Sequence, residues 1–484
     1  MTSAIADLKP EALWKYFAEI SKIPRGSKNE AAISRYVLTT AKSLGLAARA
    51  DAAGNVVVKK PASPGRENVR SVCLQGHMDM VCEKVIGNSH DFLKDPIELV
   101  RKDNFIMANG TTLGADNGIA VATNLALMAD KSIEHGPLEF LFTVDEETGL
   151  TGANYLQPEF VESRILLNLD SEEEWVLCVG CAGGRDTTAN WKVEREPAPA
   201  KSVPVQIQVK GLRGGHSGIE IHKGCGNAIK ILNRVLITLD NLNARLAGIN
   251  GGNKHNAIPR DASAQLFVPV KNLEESQQAV EQIVATLKAE NATVDPGLLI
   301  AMTKTPGKKK GKVISKRLQK RLLQTITAMP HGVIKMSPDL PGLVQTSTNL
   351  AIIQTAPRTI HMHTSQRSSV PSELDDLTCV VRTVFGMGGA ESETSNGYPP
   401  WKPDLDSEIL KITKNAYAQL NGKEPEVKAV HAGLECGIIG EKYPGMDMVS
   451  FGPTLEGVHT PDERMHIDSV ERFWNLLLRV LQSV

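Results

Sequence analysis

Helix-like and strand-like periodicities alternate at both ends of this 484-residue chain, and a long stretch of different texture separates them. No other feature limits the fold as much, because such alternation implies an α/β sheet with helices packed on both faces. Leu13, Tyr16, Phe17 and Ile20 recur at helical spacing over 10–21, and the spacing predicts a second helix over 31–44. Strands are predicted over 54–59 and 69–75, a buried helix over 119–128, and strands over 138–144 and 164–170. The same texture returns after about residue 402, with a helix over 405–420, a strand over 446–451 and a closing helix over 468–480. Between them, strands at 203–210, 262–268 and 359–364 and helices at 227–239 and 273–288 read as an inserted α+β domain. The strand-and-helix pattern continues through 378–384, and the insert divides into two halves of weak mutual similarity. The expectation is therefore a two-domain, mixed-sheet α/β protein: one domain built from 1–185 and 401–484, interrupted by an α+β domain over 186–400. Length agrees, since 484 residues exceed what one ordinary hydrophobic core encloses.

Composition removes several classes of function. Lys and Arg number 54 against 55 Asp and Glu, so no global basic field is available for nucleic acid or an anionic membrane. Aromatic residues are only 4%, too few for base-stacking platforms. No apolar run approaches the roughly 20 residues that span a bilayer, and residues 1–10 do not have the pattern of a secretory signal. Seven cysteines, at 73, 82, 178, 181, 225, 379 and 436, suit buried thiols in a reducing, cytoplasmic setting better than a disulfide framework. Cys178-x-x-Cys181 has no second such pair, lies in the Gly-rich stretch 179–184, and reads as core thiols. The basic run Lys308–Arg321 reads as a solvated loop and helix start. A small molecule is the partner that remains.

Five segments place a metal-competent residue just after a predicted strand or in the turn that follows. They are Gly76-His77-Met78-Asp79, Gly114-Ala115-Asp116-Asn117-Gly118, Asp145-Glu146-Glu147, Asn168-Leu169-Asp170 and Gly457-Val458-His459. Ligand sites of α/β sheets gather at the carboxyl ends of strands, so these residues are expected at one edge. Residues i and i+2 of an extended segment share a side, which lets Asp79 reach the His77 imidazole and fix its tautomer. Adjacent glutamates point in different directions, so one of Glu146 and Glu147 can bind a cation while the other faces a reacting water. Each piece alone has an ordinary reading: a hydrogen-bonded structural histidine, or an acidic pair on a solvated turn. Together, carboxylates and imidazoles converging on one edge repel or desolvate at high cost unless cations join them. Oxygen and imidazole donors suit zinc, manganese or cobalt.

Rival catalytic patterns fail. Gly215-His216-Ser217-Gly218-Ile219 lacks the last glycine of a nucleophile elbow. There is no H-E-x-x-H helix and no phosphate-binding P-loop.

The ordered set His77-x-Asp79, Asp116-Asn117, Glu146-Glu147, Asp170 and His459 resembles the co-catalytic zinc peptidases called the M20 family. Gly214-Gly215-His216-Ser217-Gly218 and Asn256-Ala257-Ile258-Pro259 add to the likeness, which spans nearly the whole chain. It is strongest to the cytosolic branch acting on Xaa-His dipeptides, and the long insert points the same way. The resemblance implies a zinc-exopeptidase-like catalytic domain with an inserted lid domain that also serves homodimerisation. It implies two divalent ions, zinc first, with cobalt or manganese as alternatives, bridged by Asp116. His77 and Asp170 would complete one site, Glu147 and His459 the other. Glu146 would be the general base and Asp79 the group orienting His77, and the Asp116–Asn117 peptide would be cis. For His216, residue chemistry alone favours a surface-turn histidine; the resemblance makes it an oxyanion contact, reaching the partner subunit's site in dimeric relatives. Asn256 and Arg367 become candidates for the substrate's terminal carboxylate, the latter because a guanidinium offers a bidentate fork, although Arg358 and Arg382 lie in the same region. Gly433 becomes a substrate-backbone contact, and its neighbour His431 reads as structural. The implied reaction is hydrolysis of Xaa-His and other unblocked dipeptides. A related amidase, deacetylase or tripeptidase shares this catalytic set, whereas a non-enzymatic metal or peptide-binding module would have lost the base that Glu146 supplies.

Overall fold

Uninterrupted burial, rather than alternation, marks the central strands of the first sheet. Every residue of Val72–His77, Leu138–Thr143 and Ile165–Asn168 is buried, as expected of strands covered on both faces. The computed structural model describes residues 3–305 and 311–484, and the chain divides into two units. The first comprises Met1–Cys181, Trp401–Ala429 and Leu434–Val484; the second comprises Ala182–Pro400 and Val430–Gly433.

The first unit carries an eight-stranded sheet. Its order is Ala47–Ala50, Val56–Lys60, Leu138–Thr143, Val72–His77, Ile165–Asn168, Asp447–Ser450, Val176–Cys181 and Glu426–Val430. The four strands from Leu138–Thr143 through Asp447–Ser450 run parallel, while Ala47–Ala50 and Val56–Lys60 pair antiparallel, so the sheet is mixed. Helices Glu11–Ile20, Ala31–Ser43, Ala115–Ala129, Glu408–Asn421 and Ile467–Ser483 accompany it, each within a few residues of its sequence expectation.

The second unit carries a nine-stranded sheet whose strands pair antiparallel among the described residues. Strand Ser202–Lys210, helix Ala228–Asn241, strands Arg245–Gly251 and Ala262–Pro269, helix Leu273–Glu290 and strand Leu299–Lys304 form one β-α-β-β-α-β run. A second run pairs Gly183–Lys192 with helix Lys316–Ala328, strands Val344–Thr355 and Thr359–Ser368, helix Pro371–Met387 and strand Glu391–Thr394. Both runs have their strands in the spatial order second, third, first, fourth, and they join through their second strands at Gly251 and Ile353. The two halves that the sequence suggests are thus alike in topology. One core joins Val205, Ile207, Leu266 and Met362 of the sheet to Leu232, Leu236, Leu322 and Phe385 of three helices.

The structure differs from the sequence reading in places. The Gly-rich stretch 179–184 lies in strands Val176–Cys181 and Gly183–Lys192, with Ala182 between them. The change of unit falls at Cys181/Ala182, and Val430–Gly433 groups with the second unit because Ala182 N donates to Val430 O and Ala432 O at 3.0 and 3.1 Å. Cys73, Cys178, Cys181 and Cys436 are buried, but Cys82 and Cys379 are exposed. Part of the basic run, Lys308–Lys310, lies outside the described residues; Lys316–Ala328 beyond it is a helix. Among the described residues no helix is long and apolar enough to cross a membrane.

Candidate active site

Parallel strands bring their carboxyl ends to one edge, and the first unit's charged residues collect there. His77 ends its own strand, Asp145, Glu146 and Glu147 follow Leu138–Thr143, and Asp170 follows Ile165–Asn168. Asp116 stands at the head of helix Ala115–Ala129, after Gly114 at φ 68°, and its peptide to Asn117 is cis. His459 arrives from a turn with φ 62°, a backbone conformation that a non-glycine residue keeps only where its surroundings hold it.

The five side chains meet in two groups that share Asp116. Asp116 Oδ1 lies 3.1 Å from His77 Nε2, and Asp170 Oδ1 lies 3.4 Å from the same nitrogen. Asp116 Oδ2 lies 3.0 Å from His459 Nε2, which is also 3.0 Å from Glu147 Oε2. A tetrahedral ion with donors at about 2.0–2.1 Å spaces neighbouring donors roughly 3.3–3.4 Å apart, so both groups have the dimensions of ligand sets. Glu147 Oε1 is buried without a hydrogen-bond partner, which is costly for a carboxylate oxygen unless a cation accompanies it. The donor set therefore fits divalent ions. Glu146 groups with His77 and Glu147, within reach of the same space.

A further layer fixes these groups. Asp79 Oδ1 lies 3.3 Å from His77 Nδ1 and accepts Glu146 N at 3.0 Å, while Oδ2 accepts Glu147 N at 3.3 Å and Ser27 Oγ at 2.8 Å. One carboxylate thus sets the imidazole and the backbone of both glutamates. Two residues absent from the sequence reading hold the Asp116 loop. Glu463 accepts the N–H groups of Leu113, Gly114, Ala115 and Asp116 at 2.7, 3.0, 2.8 and 3.3 Å. Arg25 donates to the carbonyls of Met78 and Asp79 at 3.0 and 3.1 Å and to that of Gly114. A Cβ on Gly114 would stand 2.6 Å from the Arg25 guanidinium, so this glycine serves close approach as well as the turn. Glu435, also unread, accepts from Gln75 Nε2 and Thr143 Oγ1, both at 2.6 Å, beneath the cluster. Nothing in the sequence marks Arg25 or Glu463.

Crowded together and buried, these groups shift one another's titration. Contacts with Asp116 and Glu147 push His459 up to about 11 against the pull of burial. Burial works against the His77 imidazolium, but Asp170, Asp116 and Asp79 outweigh it and hold its pKa well above the ordinary value. Burial raises Asp170 to about 6, and burial with Asp116 and Asp170 nearby raises Glu172 to about 8. Burial also drives Glu146 well above the usual carboxylate range. Metal ligands must be deprotonated, so a bound cation competes with these protons.

The remaining predicted residues belong to the second unit. His216 Nδ1 accepts the N–H groups of Gly218 and Ile219 at 3.2 and 3.1 Å, which leaves the proton on Nε2. Burial, then the nearby Arg367 charge, lowers its pKa to about 4, so the ring is a neutral Nε2–H donor at neutral pH. His216 and Asn256 line one cleft with Arg213, Lys254 and Arg260. Arg367 is 8% exposed, and its Nη1 donates to Tyr398 Oη at 2.8 Å. A Cβ on Gly433 would stand 2.7 Å from the Tyr398 ring, so Gly433, Tyr398 and Arg367 form one packed series. His431 is buried against Ser347 Oγ at 2.7 Å and, through burial, lowered to about 3, which fits a structural role.

The model of peptidase family M20/M25/M40 matches residues 73–483. The chain belongs to that family. It is 39% identical over 483 residues to the cytosol non-specific dipeptidase of Escherichia coli K12, covering 100% of this chain and 99% of that one. The solved structure of aminoacylhistidine dipeptidase from Vibrio alginolyticus superposes with a TM-score of 0.92 at 40% identity, covering 100% of this chain and 98% of that one. The aminopeptidase PepT of Bacillus cereus shares the fold, with a TM-score of 0.61 at 17% identity over 98% of this chain and 99% of that one. The M20 assignment makes the chain a hydrolase acting on peptide bonds, with the mixed-sheet α/β architecture of its relatives.

Proposed function

We propose that this protein is a cytoplasmic dipeptidase of two divalent metal ions, accepting Xaa-His and other unblocked dipeptides. The observation that carries the reading is the Asp116 carboxylate, whose two oxygens face two different imidazoles at 3.1 and 3.0 Å. His77 and Asp170 would hold one ion with Asp116, and Glu147 and His459 the other. The oxygen and imidazole donors favour zinc, with cobalt or manganese as substitutes. The substrate class and compartment are supported by the relatives named as a cytosol non-specific dipeptidase and an aminoacylhistidine dipeptidase. A homodimer is part of the proposal, and light scattering in solution tests it.

When bound, such a pair of ions makes water acidic enough to deprotonate near neutral pH and polarises the scissile carbonyl. The chain's residues do the rest. Glu146 takes the water proton on its carboxylate and returns it to the leaving amine. Asp79 holds the His77 ring through Nδ1, which keeps Nε2 available as the donor. His216, already neutral with Nε2 protonated, offers a hydrogen bond to the oxygen that gains charge in the transition state. Asn256 and Arg367 bind the substrate carboxylate, and Gly433 contacts its backbone. In this reading the second unit supplies the substrate contacts.

The test is a dipeptide panel containing Ala-His and β-Ala-His, run on enzyme stripped by a strong chelator and then reloaded. Activity should vanish on stripping and return with zinc, cobalt or manganese. Full turnover in the stripped enzyme would overturn the proposal, and Glu146→Ala should abolish turnover while two ions remain bound.

A further inference from the structure

We propose that Asp186, His255 and His363 of the second unit form a binding site for one additional divalent transition-metal ion, using none of the residues of the Asp116 centre. Their donor atoms all lie within 4.8 Å of one another. His255 Nδ1 is 3.2 Å and His363 Nε2 is 3.3 Å from the same oxygen, Asp186 Oδ2. These are again the spacings of neighbouring donors around a tetrahedral ion, roughly 3.3 Å.

The backbone places two of the three donors firmly. Asp186 lies on strand Gly183–Lys192 opposite Ser365, and His363 lies on strand Thr359–Ser368 opposite Thr188. Asp186 and His363 are therefore diagonal neighbours on one face, a separation that long side chains bridge. The neighbouring positions Ala189, Ile360 and Met362 turn to the opposite, apolar face and are fully buried. Asp186 is pinned further by Ser395, whose Oγ accepts its N–H at 3.0 Å and whose N–H donates to its carbonyl at 2.9 Å. The third donor, His255, comes from the turn between Gly252 and Ala257, so an ion here would tie that turn to the sheet.

Paired hydrogen bonds alone would leave this arrangement incomplete. His363 Nε2 is buried and has no hydrogen-bond partner, although Asp186 Oδ2 is 3.3 Å away. A buried ring nitrogen left so is costly, and a cation between it and the carboxylate removes the cost. Two imidazoles and a carboxylate, with His255 open to solvent for a completing water, make the donor set of a zinc-type ion. Since His255 precedes Asn256, such an ion would also steady a residue that the proposed function assigns to substrate.

The experiment uses the full-length enzyme, loaded with zinc buffered by a weak chelator. Native mass spectrometry counts the ions, and anomalous scattering at the zinc edge locates them. The expected result is three zinc ions per chain, one of them among Asp186, His255 and His363, and two per chain in both His363→Ala and Asp186→Asn. The asparagine variant keeps the backbone bonds to Ser395, which guards against a folding defect. Anomalous peaks confined to the first unit, or three ions retained in both variants, would overturn the proposal. A single ion found only among Asp186, His255 and His363 would support it while overturning the two-ion reading of the first unit.

Discussion

The first unit's predicted residues touch one another, whereas those of the second are each held by their own neighbours. Around Asp116, two imidazoles and three carboxylates lie within 3.0–3.4 Å of a partner in the set. In the second unit, His216 is set by two backbone N–H groups, Arg367 by Tyr398, and Gly433 by the room Tyr398 leaves it. Their chemistry differs too. One unit concentrates negative charge that calls for cations; the other presents a neutral donor and a guanidinium, suited to oxygen that is or becomes negative. On the proposed function, the division means that one unit holds the metals and the other recognises the substrate, so substitutions on the two sides should fail differently.

The largest effect should follow Asp116→Ala, which removes a ligand from both groups at once. Loss of stabilisation worth several kcal/mol corresponds to a fall in kcat of about 10⁴-fold or more. Metal analysis should show both ions depleted. If the variant kept two ions and near-normal turnover, the contrast between the units would disappear.

His216→Ala should fail in the opposite manner, with full metal content and kcat down by about 10²–10³-fold, the usual cost of one oxyanion donor. The pH profile sharpens this test. The folded pKa of His216, about 4, lies below the ordinary 6.5, so folding favours the neutral ring. Protonation at Nδ1 ends its acceptance of the Gly218 and Ile219 N–H groups, so the ring's set orientation should persist as pH falls from neutrality and be lost only as pH passes through about 4. An activity ratio between wild type and variant that collapses near pH 6.5 would contradict the assigned tautomer.

Much of the first unit was legible because its chemistry lies at strand ends, where a short apolar run followed by Gly-His-x-Asp or Asp-Glu-Glu announces both structure and direction. The convergence of His77, Glu147 and Asp170 needed one further rule, that parallel strands share a ligand-binding edge; His459 arrives instead from a turn between the antiparallel strands Leu455–Glu456 and Arg464–His466, where the resemblance singled it out. Glu463 and Arg25 were not legible, since they act on backbone groups of a loop whose path no periodicity gives. In the second unit, His216, Asn256, Arg367 and Gly433 come from four separate segments, and only the family resemblance singled them out. The Asp186–His255–His363 cluster had no sequence signal, because it depends on the register between two strands and on where one turn lands.

Asp79→Asn probes the support of the first centre rather than its ligands. The amide preserves size but takes away the negative charge beside His77 and offers one acceptor where two now hold Ser27, Glu146 and Glu147. Loss of such support usually costs about 10–100-fold in metal affinity or activity. Titrating the stripped variant with zinc should show weaker binding, and excess zinc should restore part of the turnover. Activity restored in full would confine Asp79 to positioning metal, while a lasting deficit would show that it also aims Glu146.

Gly433→Ala should give the smallest change, and it lies wholly on the substrate side. The added methyl would stand 2.7 Å from the Tyr398 ring, and the ring must shift because overlap at that distance is not tolerated. Tyr398 Oη accepts the Arg367 Nη1 hydrogen bond, so the guanidinium loses its brace while keeping its charge. Overpacking at the low end of its usual cost, about 1 kcal/mol, corresponds to roughly a fivefold rise in KM. Metal content and kcat should hold, because no ligand of Asp116 is touched. Tyr398→Phe removes the hydroxyl without crowding and should reproduce the KM effect if the hydrogen bond is what matters. If Gly433→Ala raises KM while Tyr398→Phe does not, the glycine acts by direct contact with the substrate backbone, and the series through Tyr398 to Arg367 is packing alone.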